Sequence, residues 1–193
     1  MRGMDVTIAD DHIRFLRYEF RGASVHPHGT LTAAQIRGVN WKLAPPEIRT
    51  VLGETLFVPA GQRQELEQFC RRNDIAFDRR LDAWGNLLEP FLDTKISDET
   101  ADATDERLRK AGFDFGEIAE IRLRIAPLMK AYNIDSMLWD WANLGLYDLL
   151  RAVSGHLVPA GLPATLGDPA EVYAWAQEIA DRPFTSGRPP ASA

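Results

Sequence analysis

The hydrophobic pattern of this chain changes its period once, close to Pro59. Before that point short apolar runs alternate with polar residues, as residues 39–43 do, which is typical of half-buried β-strands. After it, apolar residues such as Leu66 and Phe69 recur at three- and four-residue spacing, which is typical of amphipathic helices. A run of strands followed by a run of helices predicts an α+β protein, with a small antiparallel β-sheet first and an α-helical domain after it.

Breaks in composition predict how the chain is divided. Residues 1–78 form the β-rich domain, which a helix over residues 61–73 closes. Residues 79–155 form the α-helical domain, and residues 156–183 form a linker and a C-terminal helix. Residues 185–193 are mostly small and contain two prolines, and we predict a disordered tail over residues 184–193.

Residues 133–153 are predicted to form the central helix of the helical domain. The stretch is apolar on more than one face, and a helix of that kind must be buried by neighbours on several sides. Trp139 and Trp141 add two large rings to it. We expect one helix that begins near Asp135 or Ser136, since either side chain can cap the first free N–H groups.

Local signals predict where the other helices begin and end. Asp82 and Asp114 are N-cap candidates, and Asp168 stands directly before a proline at the first helical position. Pro90 predicts a kink or two short helices. Pro183 predicts the end of the last helix, because proline lacks the N–H that helix continuation requires.

A sheet-and-helix arrangement extends over about residues 4–77: a middle strand, a tight hairpin, a strand ending in proline, and a closing helix. Its residues are Ile36, Val39 and Trp41, then Gly53-Glu54, then Phe57-Val58-Pro59, and the helix that ends at Phe69. This arrangement resembles the bacterial PH-like fold, a small bent sheet closed at one end by a C-terminal helix. A plain β-meander packed on a helix fits the same residues, so both interpretations stay open.

A second resemblance lies in the helical region. Its residues are Leu88-Glu89-Pro90-Phe91-Leu92-Asp93-Thr94, Trp139-Asp140-Trp141 and Leu144-Gly145-Leu146-Tyr147-Asp148. They resemble a helical region of uncharacterised bacterial proteins. That resemblance implies no activity, but it implies that a small β-domain and this helical region occur as a pair.

Charge and cysteine content restrict the partners and the compartment. The net charge is −6, with 12 basic and 10 acidic side chains in residues 1–80 against 10 and 18 in residues 81–193. The acidic second part disfavours nucleic acid and anionic lipid. We expect no membrane insertion, because no apolar run is long enough to span a bilayer. The single cysteine, Cys70, favours a reducing cytoplasm.

Two histidines form a weak candidate metal site. His26 and His28 flank Pro27, and on a strand residues i and i+2 share a face. Two ligands at that spacing do not match a known metal motif. Ordinary histidines on a surface loop, with no metal, account for the same pattern. We therefore expect no bound metal or other cofactor.

Carboxylates on the predicted helices give a second candidate site. Glu117 and Glu120 lie at i and i+3 and so share a helix face, and Asp140 is a further carboxylate on the predicted central helix. Paired carboxylates hold Mg²⁺ for nucleotide hydrolysis in all-α pyrophosphohydrolases. The alternative function is therefore a metal-dependent hydrolase of a phosphorylated small molecule.

No complete catalytic motif appears in the sequence. It contains no Gly-x-Ser-x-Gly nucleophile turn, no Gly-x-Gly-x-x-Gly and no Walker loop. The sequence therefore favours a non-catalytic cytoplasmic interaction or regulatory module. Its partner is expected to be a protein or a small-molecule ligand, whose identity the sequence does not give.

Overall fold

The computed structural model describes residues 4–79, 81–92, 98–135 and 143–185. Contacts divide the chain into two compact units, residues 1–79 and residues 80–193, called the sheet unit and the helical unit below. The described residues form six strands, all in the sheet unit, and six α-helices, five of them in the helical unit. The predicted α+β class is confirmed.

The strands of the sheet unit form two antiparallel sheets of three strands each. The first contains β1 (Asp5–Ile8), β2 (His12–Arg17) and β3 (Gly29–Thr32). The second contains β4 (Ile36–Asn40), β5 (Glu47–Thr50) and β6 (Thr55–Phe57). Gly53 makes the predicted turn between β5 and β6, with a φ of 88° that side-chain-bearing residues rarely adopt.

Aromatic side chains connect the two sheets. Phe15, Tyr18, Phe20 and Phe57 are almost fully buried, and successive rings meet edge to face at 5.2, 5.4 and 5.9 Å. The Tyr18 hydroxyl also accepts a hydrogen bond of 3.0 Å from the backbone N–H of Phe57. Since a buried hydroxyl needs a partner, this bond fixes the ring while the ring fills the core.

Helix α1 (Arg63–Arg72) packs its apolar face into the sheet unit. Leu66, Phe69 and Cys70 are buried on that face, as the spacing predicts. Burial raises the pKa of the Cys70 thiol to about 12, so this cysteine is a structural side chain and not a reactive one.

The helical unit contains five α-helices and two short 3-10 turns in its described part. The helices are α2 (Ala83–Leu88), α3 (Asp98–Lys110), α4 (Phe115–Asp135), α5 (Leu146–Val153) and α6 (Pro169–Thr185). The 3-10 turns are Glu89–Phe91 and Pro163–Leu166. Both α2 and α5 contact both α4 and α6, so α2 and α5 support the two longest helices of this unit.

The predicted start signals are confirmed by hydrogen bonds. Carboxylate oxygens of Asp82, Asp114 and Asp168 accept from backbone N–H groups two or three residues later, at 2.8–2.9 Å. Pro90 lies in the 3-10 turn that follows α2, as a proline break predicts. The predicted stop before Pro183 is wrong, because α6 continues to Thr185.

Trp84 is the largest of the fully buried side chains in the described part of the helical unit. It is fully buried, and its indole N–H donates to the backbone oxygen of Ala176 at 2.8 Å. The prediction of one helix over residues 133–153 is wrong, because residues 143–145 are not helical and α5 begins at Leu146. Asp135, one of its two predicted starts, is instead the last residue of α4. Gly145 is a poor helix former and its N–H is capped by Asp148, which explains that start.

Trp139 and Trp141 lie outside the described residues, as does the greater part of the expected tail over residues 184–193. Among the described residues, no helix combines the length and the apolar character needed to cross a membrane.

Candidate functional site

A groove of about 340 Å³ lies between α4 and α6 in the helical unit. Four residues of each helix line it, at the same i, i+3, i+4 and i+7 spacing, which places them on one face of the helix. They are Glu117, Glu120, Ile121 and Arg124 of α4, and Trp175, Glu178, Ile179 and Arg182 of α6. We call this site the α4–α6 groove.

The two helices run antiparallel along the groove. At one end Glu117 of α4 forms an ion pair with Arg182 of α6, with 2.5 Å between Oε1 and Nη1. At the other end the guanidinium of Arg124 lies over the ring of Trp175, 4.2 Å from its centroid. The first lining residue of each helix thus meets the last lining residue of the other.

Both arginines of the groove are held by further contacts. Arg182 also lies over the ring of Phe113, 4.3 Å from its centroid. Arg124 donates a hydrogen bond of 3.2 Å to the backbone oxygen of Leu166. Guanidinium groups that are stacked and hydrogen-bonded in this way have little freedom to turn towards a ligand.

The middle of the groove is acidic and open. Glu120 and Glu178 occupy equivalent positions on the two helices, and both are exposed. Neither forms a hydrogen bond or an ion pair through its side chain with the part of the chain that the structure describes. Ile121 and Ile179 lie beside them and are buried, so the carboxylates stand above an apolar base.

The charges of the groove favour a cation. Three glutamates face two arginines, so the lining carries one net negative charge. Since Arg182 neutralises Glu117 directly, the excess charge falls on Glu120 and Glu178. A cleft with low-dielectric walls and one sign of charge concentrates ligands of the opposite sign.

The groove brings together two of the three carboxylates of the predicted hydrolase site. Glu117 and Glu120 both line it, as their shared helix face predicts, whereas Asp140 lies outside the described residues. Within the described ranges, no group of three or more His, Cys, Asp or Glu side chains has an arrangement that could hold a metal ion. Glu117 is already paired with Arg182, whose Nη1 lies 2.5 Å from Oε1 of that carboxylate.

The two candidate metal-binding histidines lie in the sheet unit, before β3. His26 is half-buried and its Nδ1 donates to the backbone oxygen of Tyr18 at 2.8 Å, while His28 is exposed. That bond orients the His26 ring and fixes the tautomer in which Nδ1 carries the hydrogen. Neither histidine belongs to a three-ligand group among the residues that the structure describes.

A second polar cluster lies in the interior of the helical unit. Asp148 is 7% exposed, and its two oxygens accept from the hydroxyl of Tyr132 at 3.2 Å and from the N–H of Gly145 at 2.9 Å. Burial raises the pKa of Asp148 above its ordinary value, and it also raises the pKa of Tyr132. Both oxygens are used within the fold, so this carboxylate positions the start of α5.

Six groove residues were not among the predicted site residues: Ile121, Arg124, Trp175, Glu178, Ile179 and Arg182. One signal for them is present in the sequence, because Glu-Ile-x-x-Arg occurs at residues 120–124 and again at residues 178–182. A pattern of three fixed residues is too short to indicate a repeat by itself. Its meaning depends on the antiparallel pairing of α4 with α6, which the sequence does not specify.

Comparison of the chain with protein-family models, with curated proteins and with solved structures found no match.

Proposed function

We propose that this protein is a non-catalytic interaction module whose α4–α6 groove receives a basic side chain of a protein partner. The observation that carries the proposal is the pair Glu120 and Glu178, two exposed carboxylates without an internal partner among the described residues, at the middle of an open groove. The groove offers charge and an apolar base, and its lining holds no serine, threonine, cysteine or lysine.

The length and chemistry of the groove suit a lysine or arginine of the partner. The methylene groups of such a side chain would cover Ile121 and Ile179, and its cationic end would lie between Glu120 and Glu178. Each charge-assisted hydrogen bond to a carboxylate is stronger than a neutral one, by a factor of about two. Because Glu117 neutralises Arg182, that arginine repels the incoming cation less than a free arginine would.

The sheet unit has a separate place in this proposal. Its two antiparallel sheets followed by α1 are compatible with the PH-like arrangement that the sequence resembles, and we propose that fold for residues 4–77. We also propose a cytoplasmic location, since the single cysteine cannot form a disulfide within the chain.

Affinity capture with matched charge variants tests the groove. The wild-type protein, a Glu120→Gln/Glu178→Gln variant and a Glu99→Gln/Glu171→Gln variant are used as baits. Both variants lose two exposed acidic side chains of the helical unit, but Glu99 and Glu171 lie outside the groove. The proposal predicts a partner that binds the wild type and the control and is lost, or at least ten-fold depleted, with the groove variant.

A partner that binds both variants equally would place the binding surface elsewhere and contradict the proposal. A bait that retains no specific protein at low ionic strength, where attraction between opposite charges is strongest, would also contradict the proposal.

A metal-dependent hydrolase is the second candidate function, because Glu117 and Glu120 share the groove with Glu178. A phosphate-release assay with nucleoside triphosphates and Mg²⁺ tests it. Hydrolysis that the wild type catalyses and Glu120→Gln abolishes would favour the enzyme over the interaction module. Equal background rates for both proteins would remove this candidate.

A further inference from the structure

Two pairs of glutamate and arginine in the α4–α6 groove have the spacing of an intrahelical ion pair but do not form one. Glu120 and Arg124 of α4 lie at i and i+4, and so do Glu178 and Arg182 of α6. With the glutamate first, this spacing favours an ion pair within a helix. Each arginine instead contacts the opposite helix, through a carboxylate in one case and a tryptophan ring in the other. Both glutamates are therefore left without a cation among the described residues.

The charge along the groove changes sign over one helical turn. Glu117 neutralises Arg182, whereas Arg124 has no carboxylate partner among the residues that the structure describes. Arg124 is exposed, and its hydrogen bond to the backbone oxygen of Leu166 uses one of its five N–H donors. Its guanidinium therefore does not have to turn to meet an anion. The groove offers an anion site at the Arg124 end beside the cation site at its middle.

We propose that the basic side chain received by the groove belongs to the C-terminal residue of the partner chain, whose α-carboxylate contacts Arg124. The inference rests on the proposed function, because the side-chain cation uses the same two carboxylates, Glu120 and Glu178. A terminal lysine or arginine carries a cation and an anion within one residue. An internal lysine or arginine has an amide in place of the carboxylate and so supplies only the cation.

The size of a terminal lysine suits the distance between the two charge sites. Six bonds join its Nζ to its carboxylate carbon, an extended length of about 7 Å. The four residues from Glu120 to Arg124 correspond to about 6 Å of helix. The methylene groups between the two charges would cover the apolar base that Ile121 and Ile179 form. The carboxylate would meet a guanidinium, whose fork of donors matches carboxylate geometry.

An acidic side chain on a neighbouring residue of the partner would supply a carboxylate too. It would have to fix more rotatable bonds than a terminal residue does, and so would lose more conformational entropy on binding. The short distance between the two charge sites therefore favours the terminal residue.

Net charge by itself predicts the opposite preference, which makes the proposal testable. The groove lining carries one net negative charge. Nα-acetyl-lysine amide has a charge of +1, whereas the cation and the carboxylate of Nα-acetyl-lysine cancel. Attraction to the net charge therefore favours the amide. A preference for Nα-acetyl-lysine requires a favourable contact to its carboxylate.

Titration of three small probes, followed by NMR of nitrogen-labelled tryptophan, tests the proposal. The probes are Nα-acetyl-lysine, its amide, and the amide of Nα-acetyl-lysyl-glutamate, in which the anion is a side chain. The indole signal of Trp175 reports binding, because its ring lines the groove beside Arg124. Each probe is added to about 50 mM, since single residues bind weakly, at a constant ionic strength of about 0.1 M.

Matched variants separate the two charge sites. Arg124→Gln removes the anion site, and Glu120→Gln/Glu178→Gln removes the cation site. Arg109→Gln is the control for the first, because Arg109 is also exposed and also lies over a ring, 4.7 Å from the centroid of Phe115, but outside the groove.

The wild type and Arg109→Gln are expected to bind Nα-acetyl-lysine at least about five-fold more tightly than either other probe, through charge-assisted hydrogen bonds to its carboxylate. The preference over the amide is expected to disappear in Arg124→Gln. The Glu120→Gln/Glu178→Gln variant is expected to bind all three probes at least about five-fold more weakly than the wild type.

Equal or tighter binding of the lysine amide by the wild type would overturn this inference and leave the cation groove of the proposed function intact. A wild type that binds none of the probes would overturn it as well, and so would a preference that persists in Arg124→Gln. Equal binding of the lysyl-glutamate probe would overturn the assignment to a chain terminus. If Arg124→Gln does not fold, the comparison of the three probes on the wild type still decides.

Discussion

Two sites in the helical unit use carboxylates in opposite ways. Asp148 lies in the interior, 7% exposed, with an acceptor bond on each oxygen. Glu120 and Glu178 lie in the open α4–α6 groove and make no side-chain bond to the described residues. The fold thus supplies hydrogen-bond donors to the carboxylate that it buries, whereas the two carboxylates that face solvent receive none from the described residues.

This difference separates structural acids from candidate binding acids. A buried polar group without partners costs free energy, so an interior carboxylate must be hydrogen-bonded for the unit to fold. An exposed carboxylate is already satisfied by water and contributes little to folding. Our proposal assigns the exposed pair in the groove to binding and the buried acid to folding, and each prediction below tests one of these two assignments.

Replacement of the interior acid is expected to have the largest effect. Asp148→Ala leaves the hydroxyl of Tyr132 and the N–H of Gly145 without their acceptor and removes the cap of α5. We expect the free energy of unfolding to fall by about 2–4 kcal/mol. Urea unfolding followed by tryptophan fluorescence measures it, and a loss below about 0.5 kcal/mol, the range of ordinary surface substitutions, would show that Asp148 is not structural.

Asp148→Asn isolates the charge of the same side chain. Because burial raises the pKa of Asp148 in the folded state, the folded protein holds its proton more tightly than the unfolded chain does. The stabilisation by protonated Asp148 is complete below its ordinary pKa of 3.8 and is lost as the pH rises through the raised value. The stability of the wild type relative to Asp148→Asn should therefore decrease with rising pH above 3.8. If the stability of the wild type relative to Asp148→Asn instead increased with pH above 3.8, the pKa of Asp148 would be lowered and not raised in the folded protein.

The ion pair at the end of the groove is expected to have a smaller effect. The side chains of Glu117 and Arg182 are 32% and 25% exposed, so solvent screens part of their attraction. A double-mutant cycle with Glu117→Gln and Arg182→Gln should give a coupling of about 0.5–1 kcal/mol that declines as salt is added. A coupling that salt does not change would indicate a contact other than the ion pair.

Neutralising the middle of the groove is expected to have the smallest effect on stability. Glu120→Gln/Glu178→Gln should change the free energy of unfolding by less than about 0.5 kcal/mol, the range of surface substitutions. The same variant is the one that should lose the partner in affinity capture. A destabilisation above about 1 kcal/mol would mean that these acids support the fold and are not a free binding surface.

The sequence predicted the local features of this protein well. The caps at Asp82, Asp114 and Asp168 depend on a carboxylate two or three residues before a free N–H, which is a matter of short-range spacing. The buried face of α1 follows from the same kind of local periodicity. The shared face of Glu117 and Glu120 was likewise predicted, because it requires only the helical repeat.

Features that depend on tertiary pairing were not predicted. The half of the groove that α6 contributes, with Trp175, Glu178 and Arg182, follows from how α6 lies beside α4, and no spacing within one helix specifies that. The helix end expected at Pro183 was wrong, since α6 continues to Thr185 and local propensity is a weak guide to where a helix ends. The expected helix across residues 143–145 was wrong because the capped N–H of Gly145 starts α5 later.

The most direct test of the central claim, that the α4–α6 groove binds a partner and does not perform metal-dependent chemistry, is a Mn²⁺ titration followed by NMR. Nitrogen-labelled tryptophan gives an indole signal for Trp175 in the groove, which a Trp175→Phe variant assigns. Our account predicts that micromolar Mn²⁺ leaves this signal no broader than those of the other tryptophans. Selective broadening of the Trp175 signal that Glu120→Gln abolishes would contradict it.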